Sequence, residues 1–185
     1  MILSQIDLEE IVAKGVVTNS SKKVEIDLIS VCLHLDNQFC RYTEYPSSPI
    51  VPPQALKFEH QTLKEHEKLT LAPMGKILAC SQEIVTIPLD LMGFIQTKGS
   101  IARGFLMAHP CDGQIDPGYK GKITFEIINL SDIYYNLAPG MPFASLFFHK
   151  LSSPVKQPYS GRYQGAYAPT PMREKQPPDF KTGQK

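Results

Sequence analysis

The segment from Gln96 to Arg103 reads Gln-Thr-Lys-Gly-Ser-Ile-Ala-Arg and could hold a phosphate. Gly99 permits a tight turn and a close approach of the backbone to a ligand. Ser100 can cap a short helical turn, whose free backbone N–H groups would face an anion. Lys98 and Arg103 add cationic donors. The segment predicts a phosphate cradle without the Gly-Lys-Ser/Thr order of a Walker A loop, although ordinary surface turns have the same composition.

Glu126 is the second candidate, because it lies in the alternating run Lys122–Ile128, which predicts a β-strand. The odd-numbered apolar residues would share one face of the strand, and Glu126 would lie on the other between Thr124 and Ile128. A carboxylate on a strand is commonly solvated or paired with a cation. If Glu126 is enclosed instead, loss of solvent would raise its pKa and suit it to carry protons.

A third segment, residues 112–119, reads Asp-Gly-Gln-Ile-Asp-Pro-Gly-Tyr and lies between the first two. An aspartate before Pro-Gly is common turn chemistry. Asp116 could therefore shape a turn or contact a ligand.

Short strands must position these residues, because helical periodicity is scarce. A capping box at residues 4–7 and a stop at Gly15 predict one helix over residues 4–14. Apolar residues alternate in one phase over 24–28 and in the opposite phase over 29–35, which predicts a bulge or a bend. The other predicted strands are Lys68–Leu71, Ile77–Cys80, Ile84–Ile87, Phe94–Thr97, Phe105–Ala108, Lys122–Ile128, Tyr134–Leu137 and Phe143–Phe148. This spacing indicates a sandwich, a jelly roll or a distorted barrel.

Composition narrows the function classes. The chain has 185 residues, 42% of them hydrophobic, which suits one domain with a real core. Its net charge of +1 argues against a broad nucleic-acid-binding face. No apolar run reaches the roughly 18 residues of a membrane span, and the N-terminus does not resemble a signal peptide, so we expect a cytoplasmic protein with no membrane partner. The four cysteines form no Cys-x-x-Cys pair, which predicts free thiols and no protein-bound metal.

The composition changes at Ser152, where proline, glycine and tyrosine become frequent. We expect residues 1–151 to form a single β domain that holds the candidate site, and residues 152–185 to form a C-terminal arm. The arm could be a disordered tail. The arm also contains three tyrosines, Tyr159, Tyr163 and Tyr167. They equally favour a second interpretation, in which the arm packs on a neighbour or closes as a lid over a ligand.

In order, the three segments resemble the dCTP deaminase branch of the dUTPase superfamily. Their flanks agree: residues 87–93 read Ile-Pro-Leu-Asp-Leu-Met-Gly, residues 137–141 read Leu-Ala-Pro-Gly-Met, and residues 159–165 read Tyr-Ser-Gly-Arg-Tyr-Gln-Gly. The resemblance implies a mostly-β, distorted β-barrel or jelly roll of the dUTPase type, with a short N-terminal helix and an extended C-terminal arm. It also implies a homotrimer with active sites between subunits.

The resemblance implies zinc-independent hydrolysis of dCTP to dUTP and ammonia, with Mg²⁺ accompanying the triphosphate. Glu126 would carry protons, and Arg103 would fix the water or polarise the base. The backbone near Pro110–Asp112 would help to frame the base. The substrate-binding residues would be Lys98, Gly99, Ser100, Asp116, Thr124, Tyr159 and Arg162. Zinc-dependent deaminases use His-x-Glu with Pro-Cys-x-x-Cys, and the Pro110-Cys111 pair here has no second cysteine at that spacing.

Five positions depart from the family pattern, and one of them, Arg162 in place of a lysine, keeps the charge. Cys32 and His34 stand where the family usually has Asp and Arg, Gly99 replaces a serine, and Ala166 replaces a glutamine. These departures leave two alternatives open. One is a dUTPase, or a bifunctional enzyme that continues to dUMP, with Asp116 orienting the water. The other is a nucleotide-binding protein on this fold that has lost catalysis.

Overall fold

The N-terminal helix begins at its predicted cap in the computed structural model, which describes residues 1–50 and 56–173. Helix α1 spans Gln5–Ala13. The Asp7 carboxylate accepts hydrogen bonds from the Ser4 backbone N–H, at 3.0 Å, and from the Ser4 hydroxyl, at 2.9 Å. Gly15 has a positive φ of 80°, which glycine adopts without strain and which ends the helix. The predicted helix is confirmed.

Most of the remaining structure is one curled sheet of nine strands, which confirms the predicted mostly-β, distorted barrel. Its strands are β1 (Val17–Thr18), β2 (Val31–Tyr42), β3 (Phe58–Thr62), β5 (Lys76–Thr86), β6 (Leu91–Thr97), β7 (Leu106–Met107), β8 (Gln114–Ile115), β9 (Lys120–Asn129) and β11 (Pro142–Lys150). The main order is β7-β9-β5-β2-β11-β6-β8, with β1 beside β5 and β3 beside β2. Strands β4 (Leu69–Leu71) and β10 (Tyr135–Leu137) form a separate pair.

The inward faces of the long strands form the core. Phe125, Phe143 and Phe148 are fully buried, and the Phe125 and Phe143 rings pack with centroids 5.9 Å apart. Burying large aromatic and aliphatic side chains supplies most of the free energy that holds such a sheet curled. The core face of β9 is therefore fixed, and its other face is left for a ligand.

Several predicted boundaries were wrong. The strands predicted at Ile77–Cys80 and Ile84–Ile87 are one strand, β5, whose pairing with β9 shifts between Cys80 and Ile84. The phase change near residue 28 is a bend, which was one of the two predicted possibilities: the Asp27 N–H donates to the Ser30 carbonyl at 2.8 Å, and Ile26 pairs with Val31 across it. Strands β1, β3 and β8 were not predicted.

All four cysteines are free thiols, as predicted. Within the described residues, no helix has the length and apolarity needed to cross a membrane. Residues 152–173 form no named helix or strand, and the rest of the predicted arm, residues 174–185, lies outside the described residues.

Candidate active site

Strand β9 places Glu126 on the wall of a cavity. Its odd-numbered residues are buried in the core, whereas Thr124, Glu126 and Ile128 lie on the opposite face and line the cavity. The register is fixed by pairing with β5, where Leu78 stands opposite Glu126 and Cys80 opposite Thr124. The alternation seen in the sequence therefore predicted the correct face for Glu126.

The cavity has a volume of about 760 Å³, which is ample for a nucleotide. Strands β2, β5 and β9 form its base, the loop 110–116 forms one side, and the C-terminal arm forms another. The polar and charged residues that line it are Arg41, Tyr42, Tyr45, Lys76, Asp112, Gln114, Asp116, Tyr119, Thr124, Glu126, Tyr159, Tyr163 and Thr170. The cavity thus brings together four of the predicted site residues, namely Asp116, Thr124, Glu126 and Tyr159.

Glu126 has the environment expected of a proton carrier. Burial raises the pKa of its carboxyl group, and the nearby negative charge of Asp112 raises it further, while the backbone N–H of Cys111 acts in the opposite direction. The Oε2 atom is buried and has no hydrogen-bond partner within the described residues. An enclosed carboxyl group with one free oxygen can take a proton from a ligand and return it.

The effect of the Asp112 charge on the pKa of Glu126 can be tested by substitution. Replacing Asp112 with asparagine removes a nearby negative charge, so the titration midpoint of the Glu126 carboxyl should move to lower pH. We expect this shift in a carboxyl ¹³C NMR titration of the labelled protein. Asp132→Asn, at an exposed position that does not line the cavity, is the matched control and should leave the midpoint in place. An unchanged midpoint in Asp112→Asn would show that Asp112 does not act on Glu126.

The arm approaches β9 closely and closes one side of the cavity. The Lys122 N–H donates to the Ala166 carbonyl at 2.7 Å, and the Thr170 N–H donates to the Thr124 hydroxyl at 3.1 Å. At Gly121 a Cβ atom would lie 2.7 Å from the Ala166 carbonyl oxygen, so only glycine allows this approach. The Tyr159 ring packs edge-on against Tyr119, with centroids 5.9 Å apart.

Truncation of the arm should weaken nucleotide binding without unfolding the barrel. A chain ending at Pro158 loses the cavity wall formed by Tyr159, Tyr163, Thr170 and Met172 but keeps every strand. We expect weaker triphosphate binding by calorimetry, with strand content by circular dichroism retained. Equal affinity in the truncated chain would show that the arm does not contribute to the site.

The predicted phosphate cradle lies apart from this cavity in the single chain. Lys98, Gly99, Ser100 and Arg103 do not line it, and the Lys98 ammonium instead forms an ion pair with Asp27 at 3.0 Å. The short helix α2 spans Gly99–Ala102. Its N-cap is Lys98, so the expectation that Ser100 caps the turn was wrong: Ser100 lies within the helix.

Arg162 also lies outside the cavity lining, and its guanidinium donates to the Arg173 carbonyl at 2.6 Å. The predicted site residues therefore fall into two sets. Four of them line the cavity, and the other five, Lys98, Gly99, Ser100, Arg103 and Arg162, do not. Sequence reasoning missed the Tyr42 hydroxyl, which accepts the Met172 N–H at 2.8 Å, and the Asp112 carboxylate beside Glu126. No alternation marks Tyr42 in the sequence, because the neighbouring residues Phe39 and Cys40 are both buried at the end of β2.

Comparisons with known protein sequences agree on one family. The sequence model of a family described as dCTP deaminase-like matches residues 2–151. A protein of Parafrankia sp. (strain EAN1pec) named "dCTP deaminase, dUMP-forming" is 35% identical, over 94% of this chain and 90% of its own length. A protein of Halorubrum lacusprofundi named "dCTP deaminase" is 32% identical, over 97% of this chain and 94% of its own length.

A solved structure supports the fold. The crystal structure of 2'-deoxycytidine 5'-triphosphate deaminase from Agrobacterium tumefaciens aligns with a TM-score of 0.62 at 15% identity. The alignment covers 80% of this chain and 46% of that chain, so this protein corresponds to about half of the longer one.

Proposed function

This chain belongs to the dCTP deaminase-like family, and we propose that it hydrolyses dCTP to dUTP and ammonia with Glu126 as the proton carrier. The observation that carries the proposal is the Glu126 carboxyl group on the cavity wall, with its raised pKa and a buried Oε2 atom that has no hydrogen-bond partner in the part of the chain that the structure describes.

The chemistry needs one group that can accept and return protons. A water molecule adds to C4 of cytosine and gives up a proton, N3 gains a proton, and the 4-amino group leaves as ammonia after protonation. In this proposal Glu126 takes one proton from the attacking water and gives it to N3. It then takes the second proton from the hydroxyl group now on C4 and gives it to the 4-amino group, so that the C4–N bond breaks and a C4 carbonyl forms. A positioned carboxyl group can perform these transfers in sequence because it lies on one face of the base.

The remaining residues would bind and orient the nucleotide. Asp116 would hold the deoxyribose, and Thr124 with the backbone of residues 110–112 would frame the base. Tyr159 and Arg162 would close the arm over the phosphates. The triphosphate, accompanied by Mg²⁺, would lie against Lys98, Gly99 and Ser100, and Arg103 would fix the water or polarise the base.

Because the cradle and the cavity are separate within one chain, we propose that they meet between subunits of a homotrimer. Light scattering should give the mass of a trimer at micromolar concentration. A stable monomer that still deaminates dCTP would contradict this arrangement.

A second candidate is a reaction that continues to dUMP and pyrophosphate. The observation that favours it is the name of several relatives, "dCTP deaminase, dUMP-forming", at 33–35% identity over 94% of this chain. In this case Asp116 would orient a second water molecule toward the α-phosphate.

One experiment separates these functions. The protein is incubated with dCTP, dUTP, dCMP or CTP in the presence of Mg²⁺, and the products are separated by chromatography. We expect dCTP to yield dUTP and one equivalent of ammonia. Formation of dUMP and pyrophosphate from dCTP would favour the bifunctional reaction, and no turnover of any nucleotide would contradict both and favour a binding protein.

A further inference from the structure

Glu25, Cys32 and His34 bring three potential metal ligands together outside the cavity lining. Cys32 and His34 are two residues apart on β2, so their side chains lie on the same face of the strand. The turn before β2 adds Glu25, because the Cys32 N–H donates to the Glu25 carbonyl at 2.9 Å. Cys32 is 1% exposed and His34 is 2% exposed, whereas the Glu25 side chain reaches solvent.

The two distances from His34 within this cluster match those of a tetrahedral zinc site. The His34 Nε2 atom lies 3.6 Å from Cys32 Sγ and 3.3 Å from a Glu25 carboxylate oxygen. Zinc bonds of about 2.3 Å to sulfur and about 2.0 Å to nitrogen and oxygen, at tetrahedral angles, place these pairs about 3.5 Å and about 3.3 Å apart. All three ligand atoms lie within 4.8 Å of one another.

The orientation of the His34 ring is set by a buried carboxylate. His34 Nδ1 lies 2.9 Å from one Glu83 oxygen, and the His34 backbone N–H donates to the other at 2.9 Å. Donation of the Nδ1 hydrogen to Glu83 leaves a lone pair on Nε2, directed toward Cys32 and Glu25. Histidines that bind metals are commonly held this way by a carboxylate on the other ring nitrogen.

We propose that Glu25, Cys32 and His34 bind one zinc ion, with the fourth coordination position open to water on the Glu25 side. Binding displaces the thiol proton to solvent, and the dication balances the thiolate and the Glu25 carboxylate. A thiolate and an imidazole select zinc over the hard Mg²⁺ ion, so this site differs from any site for nucleotide-bound magnesium.

The cluster occupies two of the positions at which this sequence departs from the family pattern, Cys32 and His34. The sequence predicted no protein-bound metal because it lacks paired cysteine motifs, and Glu25 becomes a neighbour only through the turn between Ile26 and Val31. Neither Glu25 nor His34 has a role in the proposed deamination, whereas Cys32 lies beside Lys98, which is proposed to contact the triphosphate.

Cobalt provides a direct test, because a thiolate bound to Co²⁺ absorbs in the near ultraviolet. We expect the full chain, stripped with a chelator, to bind one Co²⁺ with this band and with the visible bands of tetrahedral cobalt. Zinc should abolish both, and excess Mg²⁺ should not. Cys32→Ser should lose the near-ultraviolet band, and Cys111→Ser, at the exposed cysteine, should keep it.

A second pair of variants covers the case in which Cys32→Ser does not fold. Glu25 is exposed, so Glu25→Gln should fold, and its zinc affinity should fall at least about tenfold in a competition with a chromophoric chelator. Glu65→Gln, at an exposed carboxylate outside the cluster, should bind zinc like the unmodified protein. Absence of the thiolate band in the unmodified protein, its persistence in Cys32→Ser, or undiminished affinity in Glu25→Gln would overturn the proposal.

Discussion

Replacing Glu126 with glutamine should reduce ammonia release from dCTP by at least about 10²–10⁴, the usual contribution of a positioned acid or base. Glutamine keeps the size and the hydrogen bonding of glutamate but cannot carry a proton. Triphosphate binding should persist, because Lys98, Ser100 and Arg103 are unchanged. Ammonia release and nucleotide affinity should be measured on the same preparation. A folded Glu126→Gln protein that deaminates dCTP at a near-native rate would eliminate Glu126 as the proton carrier.

The same variant distinguishes catalysis from a structural role, because the two make opposite predictions for stability. A carboxyl group whose pKa is raised by folding favours the folded state most at low pH, and this contribution is lost as the pH rises through its pKa in the folded protein. Glutamine does not titrate. The melting temperature of Glu126→Gln relative to the unmodified protein should therefore increase with pH. Early melting of the variant at neutral pH would indicate that the Glu126 carboxylate pairs with a cation and steadies the assembly.

Sequence patterns predicted the parts of this fold that depend on local rules. The alternation in β9 gave the correct face for Glu126, and the Ser4–Asp7 box and Gly15 gave the ends of α1. Strand β3 has no such signal, because all five of its side chains are exposed and it joins the sheet through its backbone pairing with β2. Periodicity cannot indicate a strand that buries neither face.

The site itself depends on contacts between distant segments, which local patterns do not contain. Ala108 is held at both backbone groups, since its N–H donates to the Thr97 hydroxyl and its carbonyl accepts the Glu126 N–H, each at 2.8 Å. Asp112 follows four residues later, and its charge acts on Glu126. The sequence indicated only that the backbone of this loop would frame a base. The closure of the cavity by the arm likewise depends on Gly121, whose role is evident only once Ala166 lies against it.

Replacing Arg103 with alanine should impair both nucleotide binding and turnover, because it removes a cation that would contact the substrate. The loss of one positioned donor to a developing charge usually costs about 10²–10³ in rate. Arg103 is exposed and does not line the cavity of its own chain, so the variant should fold normally. Lys156→Ala, which removes an exposed cation at a position outside the cavity lining, is the matched control and should retain activity.

Mixing the two inactive proteins tests where the active site lies. In a ring of three subunits, each proposed site takes Arg103 from one chain and Glu126 from the next. If Arg103→Ala and Glu126→Gln subunits are unfolded together in equal amounts and refolded, about a quarter of the sites should contain both native residues, by random assembly of a cyclic trimer. Activity should therefore return to about a quarter of the refolded unmodified protein, although neither variant is active alone. If both residues acted from the same chain, no site could recover both, and the mixture would remain as inactive as its components.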